Sequence, residues 1–72
     1  MIKIKFDIPE TVNTKVIIYD ILGKEIDIPL NKKLQPGEYE IDVNSAELPA
    51  GTYFYKVIID GHSETKKISI VK

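Results

Sequence analysis

Apolar and polar residues alternate with a period of two in short runs, each closed by glycine or proline. No other feature limits the accessible folds so sharply, because strict alternation is the signature of a strand with one face buried. Ile2, Ile4, Phe6 and Ile8 share one face while Lys3, Lys5 and Asp7 share the other, and Pro9 ends the run. A second strand, about Thr14 to Asp20, sets Val16 and Ile18 against Ile17 and Tyr19, apolar on both sides. Its second face calls for cover from a loop or a partner. Asp20-Ile-Leu-Gly23 reads as a turn, and Lys24 to Leu30 alternates again through Ile26 and Ile28 until Pro29 disturbs pairing. Asn31 to Pro36 reads as polar loop. Gly37 to Val43 alternates Tyr39, Ile41 and Val43 against Glu38, Glu40 and Asp42. Asn44 to Ala50 connects, with Leu48 as a core plug. Thr52 to Ile59 is apolar on both faces and reads as a central strand. Asp60-Gly61 then turns the chain into Ser63 to Val71 as a hairpin. Six strands follow, or seven if Pro29 splits the third. The expected fold is all-β, a small immunoglobulin-like two-sheet β-sandwich of 6–7 antiparallel strands.

Composition agrees. Ile, Val and Thr supply 22 of the 72 residues, Ala only 2, and β-branched side chains favour a pleated surface over a helix. Residues 1–72 are expected to form a single domain. A chain this short buries only ~60% of its unfolded surface, so nearly every large apolar side chain is committed to the core. Little remains for a deep substrate pocket. Ten lysines with no arginine balance eleven carboxylates to a net charge of -1, which gives no field to gather nucleic acid or an anionic membrane. No apolar run approaches the ~18 residues of a membrane span, and no signal-peptide pattern opens the chain.

Chemical motifs are weak. Gly61-His-Ser-Glu-Thr65 imitates a nucleophile elbow but lacks its closing glycine and its following helix, and His62 is the only histidine. Cysteine is absent, which removes disulfides, thiolate catalysis and cysteine zinc sites. Asp20, Glu25 and Asp27 are close in sequence, but not at the spacing of a calcium loop. Tyr19, Tyr39, Tyr53, Phe54 and Tyr55 are candidates for a sugar-stacking platform, though Trp is missing and three of them fall on the core strand. Neither catalytic residues, nor a metal site, nor a cofactor is expected. Leu48-Pro-Ala-Gly-Thr-Tyr53 has the form of a tyrosine corner, in which Tyr53 bonds back to the incoming backbone, and Tyr55 takes the slot of a buried cysteine in antibody domains.

Taken in order, these segments resemble the carboxyl-terminal sorting domain of proteins exported by the bacterial type IX secretion system, and the related immunoglobulin-like module of flagellar hook-capping proteins. The matching pieces are Ile8-Pro9, Val16-Ile-Ile-Tyr-Asp-Ile-Leu-Gly-Lys-Glu-Ile26, Pro36-Gly37, Leu48-Pro-Ala-Gly-Thr-Tyr-Phe-Tyr-Lys-Val57 and the terminal Glu64-Thr-Lys-Lys-Ile-Ser-Ile-Val-Lys72. Lys56 stands where the family commonly has arginine, and Val43-Asn44 where an aromatic often precedes the aspartate. The resemblance makes Tyr19, Asp20, Gly23, Pro49, Gly51, Tyr53 and Tyr55 structural motif residues. It implies a non-catalytic address label on a fused cargo, which crosses the periplasm of a Gram-negative bacterium to be secreted or held at the cell surface. The implied partners are the type IX translocon or sorting machinery and the cargo domain, met through Lys66, Lys67, Ser69, Val71 and Lys72 on the last strand. A passive accessory or assembly module of an extracellular or flagellar protein is the alternative, and a carbohydrate-binding module a third.

Overall fold

In the computed structural model, which describes residues 2–43 and 48–71, six strands form two antiparallel sheets and no helix is present among those residues. β1 (Ile2–Ile8) pairs with β4 (Gly37–Val43), and β3 (Glu25–Leu34), β2 (Val12–Tyr19), β5 (Gly51–Ile59) and β6 (His62–Ile70) lie side by side in that order. The sheets pack face to face as a small immunoglobulin-like sandwich. Val16, Ile18, Tyr53, Val57, Ile68 and Ile70 from the larger sheet meet Ile4 and Val43 from the smaller, and Phe6, Leu30, Ile41, Leu48, Tyr55 and Ile59 fill in around them. Alternation set those faces, as the sequence indicates.

β2 and β5 are the interior strands of the larger sheet, which accounts for their apolar character on both sides. Ile17, facing away from the core, is still only 3% exposed. Half-buried Lys56 lies directly across from it in the ladder, and a lysine stem can lie over an apolar neighbour while its charge stays in water. Asp60 and Gly61, both at positive φ (48° and 80°), make the two-residue turn that joins β5 to β6.

The third strand departs from expectation. Asn31 to Leu34 is strand and not loop, so β3 runs unbroken through Pro29 and no seventh strand arises among the described residues. Pro29 is accommodated because β3 is an edge strand with register shifts opposite Val16/Ile18 and Ile18/Tyr19. The shifts also turn Ile26 and Ile28 out to solvent, 37% and 41% exposed, where simple alternation had placed them on a buried face.

Candidate partner-binding surfaces

Three short loops are held by side chains that cap them. Asp20 closes the turn between β2 and β3: its Oδ1 accepts the Leu22 and Lys24 N–H groups at 2.9 Å each, while its own backbone bonds Lys24 and Gly23. Gly23, at φ 88°, supplies the left-handed residue of that turn. Leu22, its backbone tied to Asp20, has its side chain in water, 90% exposed. Tyr19, just before the turn, is half-buried on the outward side of the larger sheet, across from Phe54.

Tyr53 donates its hydroxyl proton to the Pro49 carbonyl over 2.7 Å, and Gly51 between them has φ 152°. The same device occurs a second time. Tyr39 donates to the Gln35 carbonyl over 2.6 Å, again four residues back, with Gly37 between them at φ 150°. Each closes the entry to a strand, β5 and β4 respectively. The second corner went unnoticed in the sequence, although Gln35-Pro-Gly-Glu-Tyr39 repeats the glycine-x-tyrosine step of Pro49-Ala-Gly-Thr-Tyr53. Tyr55 points into the core, half-buried beside the central cluster.

The residues proposed for partner contact divide between two faces. On β6, Ile68 and Ile70 are buried, so Lys66 and Glu64 share the inward side, 3.7 Å apart and both exposed where the smaller sheet no longer covers the hairpin. Lys67 and Ser69 project from the outward side, with Lys67 across from Phe54. Val71, 90% exposed, follows the end of the strand, and Lys72 lies outside the described residues. β6 is an edge strand of its sheet. The lysines thus flank a free backbone edge from both sides instead of forming one patch.

An open cleft of about 450 Å³ separates β1 from the terminal hairpin. Phe6, Tyr55, Val57 and Ile59 give it an apolar floor, and Lys5, Asp7, His62, Glu64 and Lys66 stand around it, all exposed. Ser63 lies on the opposite face of β6 from its neighbour His62, so strand alternation parts the two groups that an elbow nucleophile would need together. Asp27 Oδ1 accepts the Ile28 N–H at 2.9 Å, and Asp20 Oδ1 is engaged as described. Among the described residues no three His, Cys, Asp or Glu side chains gather as ligands for one ion. The aromatic residues are dispersed as well: Phe6 stacks on Tyr39 at 5.8 Å in the smaller sheet, Tyr53 and Tyr55 face inward, and Tyr19 and Phe54 face outward.

The family model of the secretion system C-terminal sorting domain matches residues 1–72. The chain belongs to that family. No curated protein and no solved structure gives a significant match. Membership makes this a type IX sorting domain, a module of exported proteins. In this sorting domain Tyr19-Asp-Ile-Leu-Gly23 forms the aspartate-closed turn and Pro49-Ala-Gly-Thr-Tyr53 the tyrosine corner, so both segments hold loops at the ends of strands. Sequence reasoning missed a further set of residues, Lys15, Lys33 and Lys56. They lie on the same outward face as Lys67, and the register of β3, β2, β5 and β6 was needed to bring them together.

Proposed function

We propose that this domain is a non-catalytic address that directs an attached cargo to the outer-membrane type IX translocon. The cargo passes through the periplasm of a Gram-negative bacterium and ends secreted or at the cell surface. The translocon reads the free edge of β6, with Lys66, Lys67, Ser69, Val71 and Lys72 flanking it, by adding a strand to that edge. Main-chain hydrogen bonds supply the affinity in such an arrangement, and the flanking side chains the selectivity. The observation that carries this reading is the family match over residues 1–72, on a fold that leaves its last strand unpaired on one side.

A passenger fused to residues 1–72 tests it in a bacterium with a type IX system. The passenger is expected outside the cell with the domain attached and inside the periplasm without it. Removal of Ser69 to Lys72 is expected to strand the passenger in the periplasm. That truncation also deletes buried Ile70, so circular dichroism of the truncated domain accompanies the assay, and Ser69→Glu with Val71→Glu probes the edge with Ile70 in place. Periplasmic retention of the intact fusion overturns the sorting role; normal export of the folded edge variants overturns the edge mechanism.

A further inference from the structure

A net charge of -1 conceals two faces of opposite sign. The outer side of the smaller sheet carries Asp7, Glu38, Glu40 and Asp42 against Lys3 and Lys5, and both lysines reach Glu40, at 3.3 and 3.7 Å. The outer side of the larger sheet is the reverse. Register aligns Lys33 on β3, Lys15 on β2, Lys56 on β5 and Lys67 on β6, and among the described residues the carboxylates on this face are Glu25 at the edge strand and Asp60 at the turn beside Asn13. None of these four lysines is in an ion pair among the described residues.

Lys15, Lys56 and Lys67 descend one row per strand across the sheet. Strands ~4.8 Å apart and alternate residues ~6.8 Å apart put successive Cα atoms on this diagonal about 8 Å from each other. Ile58 lies across from Lys15, Ile17 across from Lys56 and Phe54 across from Lys67, with Tyr19 on the far side of Phe54. Lysines interleaved with apolar and aromatic side chains offer a partner contact area and charge on the same face. The absence of arginine and the acidic opposite face disfavour nucleic acid. The aromatic side chains lie half-buried within the sheet surface and do not stand out as membrane-inserting ones would.

We propose that the outer face of β2, β5 and β6 is a docking surface for an acidic surface of a partner protein. This inference rests on the sorting role, and adds to the β6 edge a broad, sign-selective face. A second copy is a poor occupant. The acidic face it offers carries Lys3 and Lys5 among its carboxylates, and both already reach Glu40. Opposite signs on opposite faces also orient the approach, since the acidic side repels the surface that the lysine side attracts.

The test reverses the diagonal in the passenger fusion, as Lys15→Glu, Lys56→Glu and Lys67→Glu together. The control reverses as many lysines elsewhere, Lys3→Glu, Lys5→Glu and Lys24→Glu. Because Lys56 lies across from buried Ile17 in the ladder, a neutral set with glutamine at the three diagonal positions is measured alongside, and circular dichroism verifies that each folds. The diagonal variants are expected to lower the exported fraction by about tenfold, as the loss of three pairs at a protein interface implies, with the control near wild type. In parallel, poly-L-glutamate added to the purified domain is expected to move the amide resonances of Lys15, Phe54, Lys56 and Lys67, an effect abolished by high salt. Export of a folded diagonal variant at wild-type level overturns the docking face and leaves the sorting role intact. Retention of the intact fusion overturns both. Binding to phosphatidylglycerol vesicles without a response to poly-L-glutamate, or self-association that the diagonal variant abolishes, also overturns the proposal, in favour of a lipid or a second copy.

Discussion

Tyr53 ties a loop to a strand through one hydroxyl, and the value of that bond follows from its burial. The ring is a core side chain and its bond to the Pro49 carbonyl is part-buried, so water replaces the lost donor less freely than at an exposed corner. Tyr53→Phe is expected to cost about 1–2 kcal/mol in urea unfolding. Tyr39→Phe, at an exposed corner, is expected to cost less than about 1 kcal/mol because water replaces the lost donor. Equal costs at the two positions would mean that exposure does not govern them. The intervening glycine contributes separately. Nothing lies within 4 Å of a Cβ placed on Gly51, so Gly51→Ala meets no clash and pays only for a backbone conformation that L-residues rarely adopt. The same assay should register about 1–2 kcal/mol for it. The Tyr53 segment was legible in the sequence as a local pattern. Its twin at Tyr39 carries the same glycine-x-tyrosine step, but no leucine-proline precedes it, and the stretch before it, Asn31 to Pro36, reads as polar loop.

At the level of the element, β3 separates what a one-dimensional pattern encodes from what it does not. Lys24 to Leu30 shows a strand period, yet the two register shifts turn the isoleucines outward, and a shift in register leaves alternation in the sequence untouched. Asn31 to Leu34 reads as loop because lysines and asparagine dominate it, whereas Leu30 and Leu34 sit at alternate positions and face inward opposite Val16 and Val12. Polar residues are what an edge strand tolerates and an interior strand does not. Likewise, Lys66 and Lys67 are neighbours in sequence and read there as one cluster, but the buried isoleucines at 68 and 70 assign them to opposite sides of β6. Pro29 has a further role at this scale, since a proline on an edge strand discourages pairing with another chain. Pro29→Val is expected to change stability by less than about 0.5 kcal/mol while raising concentration-dependent association in light scattering. A variant that stays monomeric at every concentration would remove Pro29 from the protection of that edge.

On the scale of the whole molecule, the two sheets share no ladder among the described residues: β1 pairs with β4, and the larger sheet pairs within itself. Side-chain burial alone therefore joins the layers, and Ile4, 1% exposed, is the largest fully buried side chain on the smaller one. β1 and β4 come from distant parts of the chain, with β2 and β3 between them, so their pairing must close a long loop before it gains anything. A two-stranded ribbon is marginal alone in water, and the larger sheet without its cover exposes the side chains of Val16, Ile18, Val57 and Ile68. Neither layer has a stable existence apart, and unfolding should be a single transition. Ile4→Ala, which opens a cavity at the junction, is expected to cost about 2–5 kcal/mol, a large share of what a domain of this size possesses. Native-state hydrogen exchange should then show the slow amides of β1 and β4 losing protection by the same factor as those of β2 and β5. Loss confined to β1 and β4 would identify the four-stranded sheet as an independent unit, on which the smaller sheet docks as a separable lid.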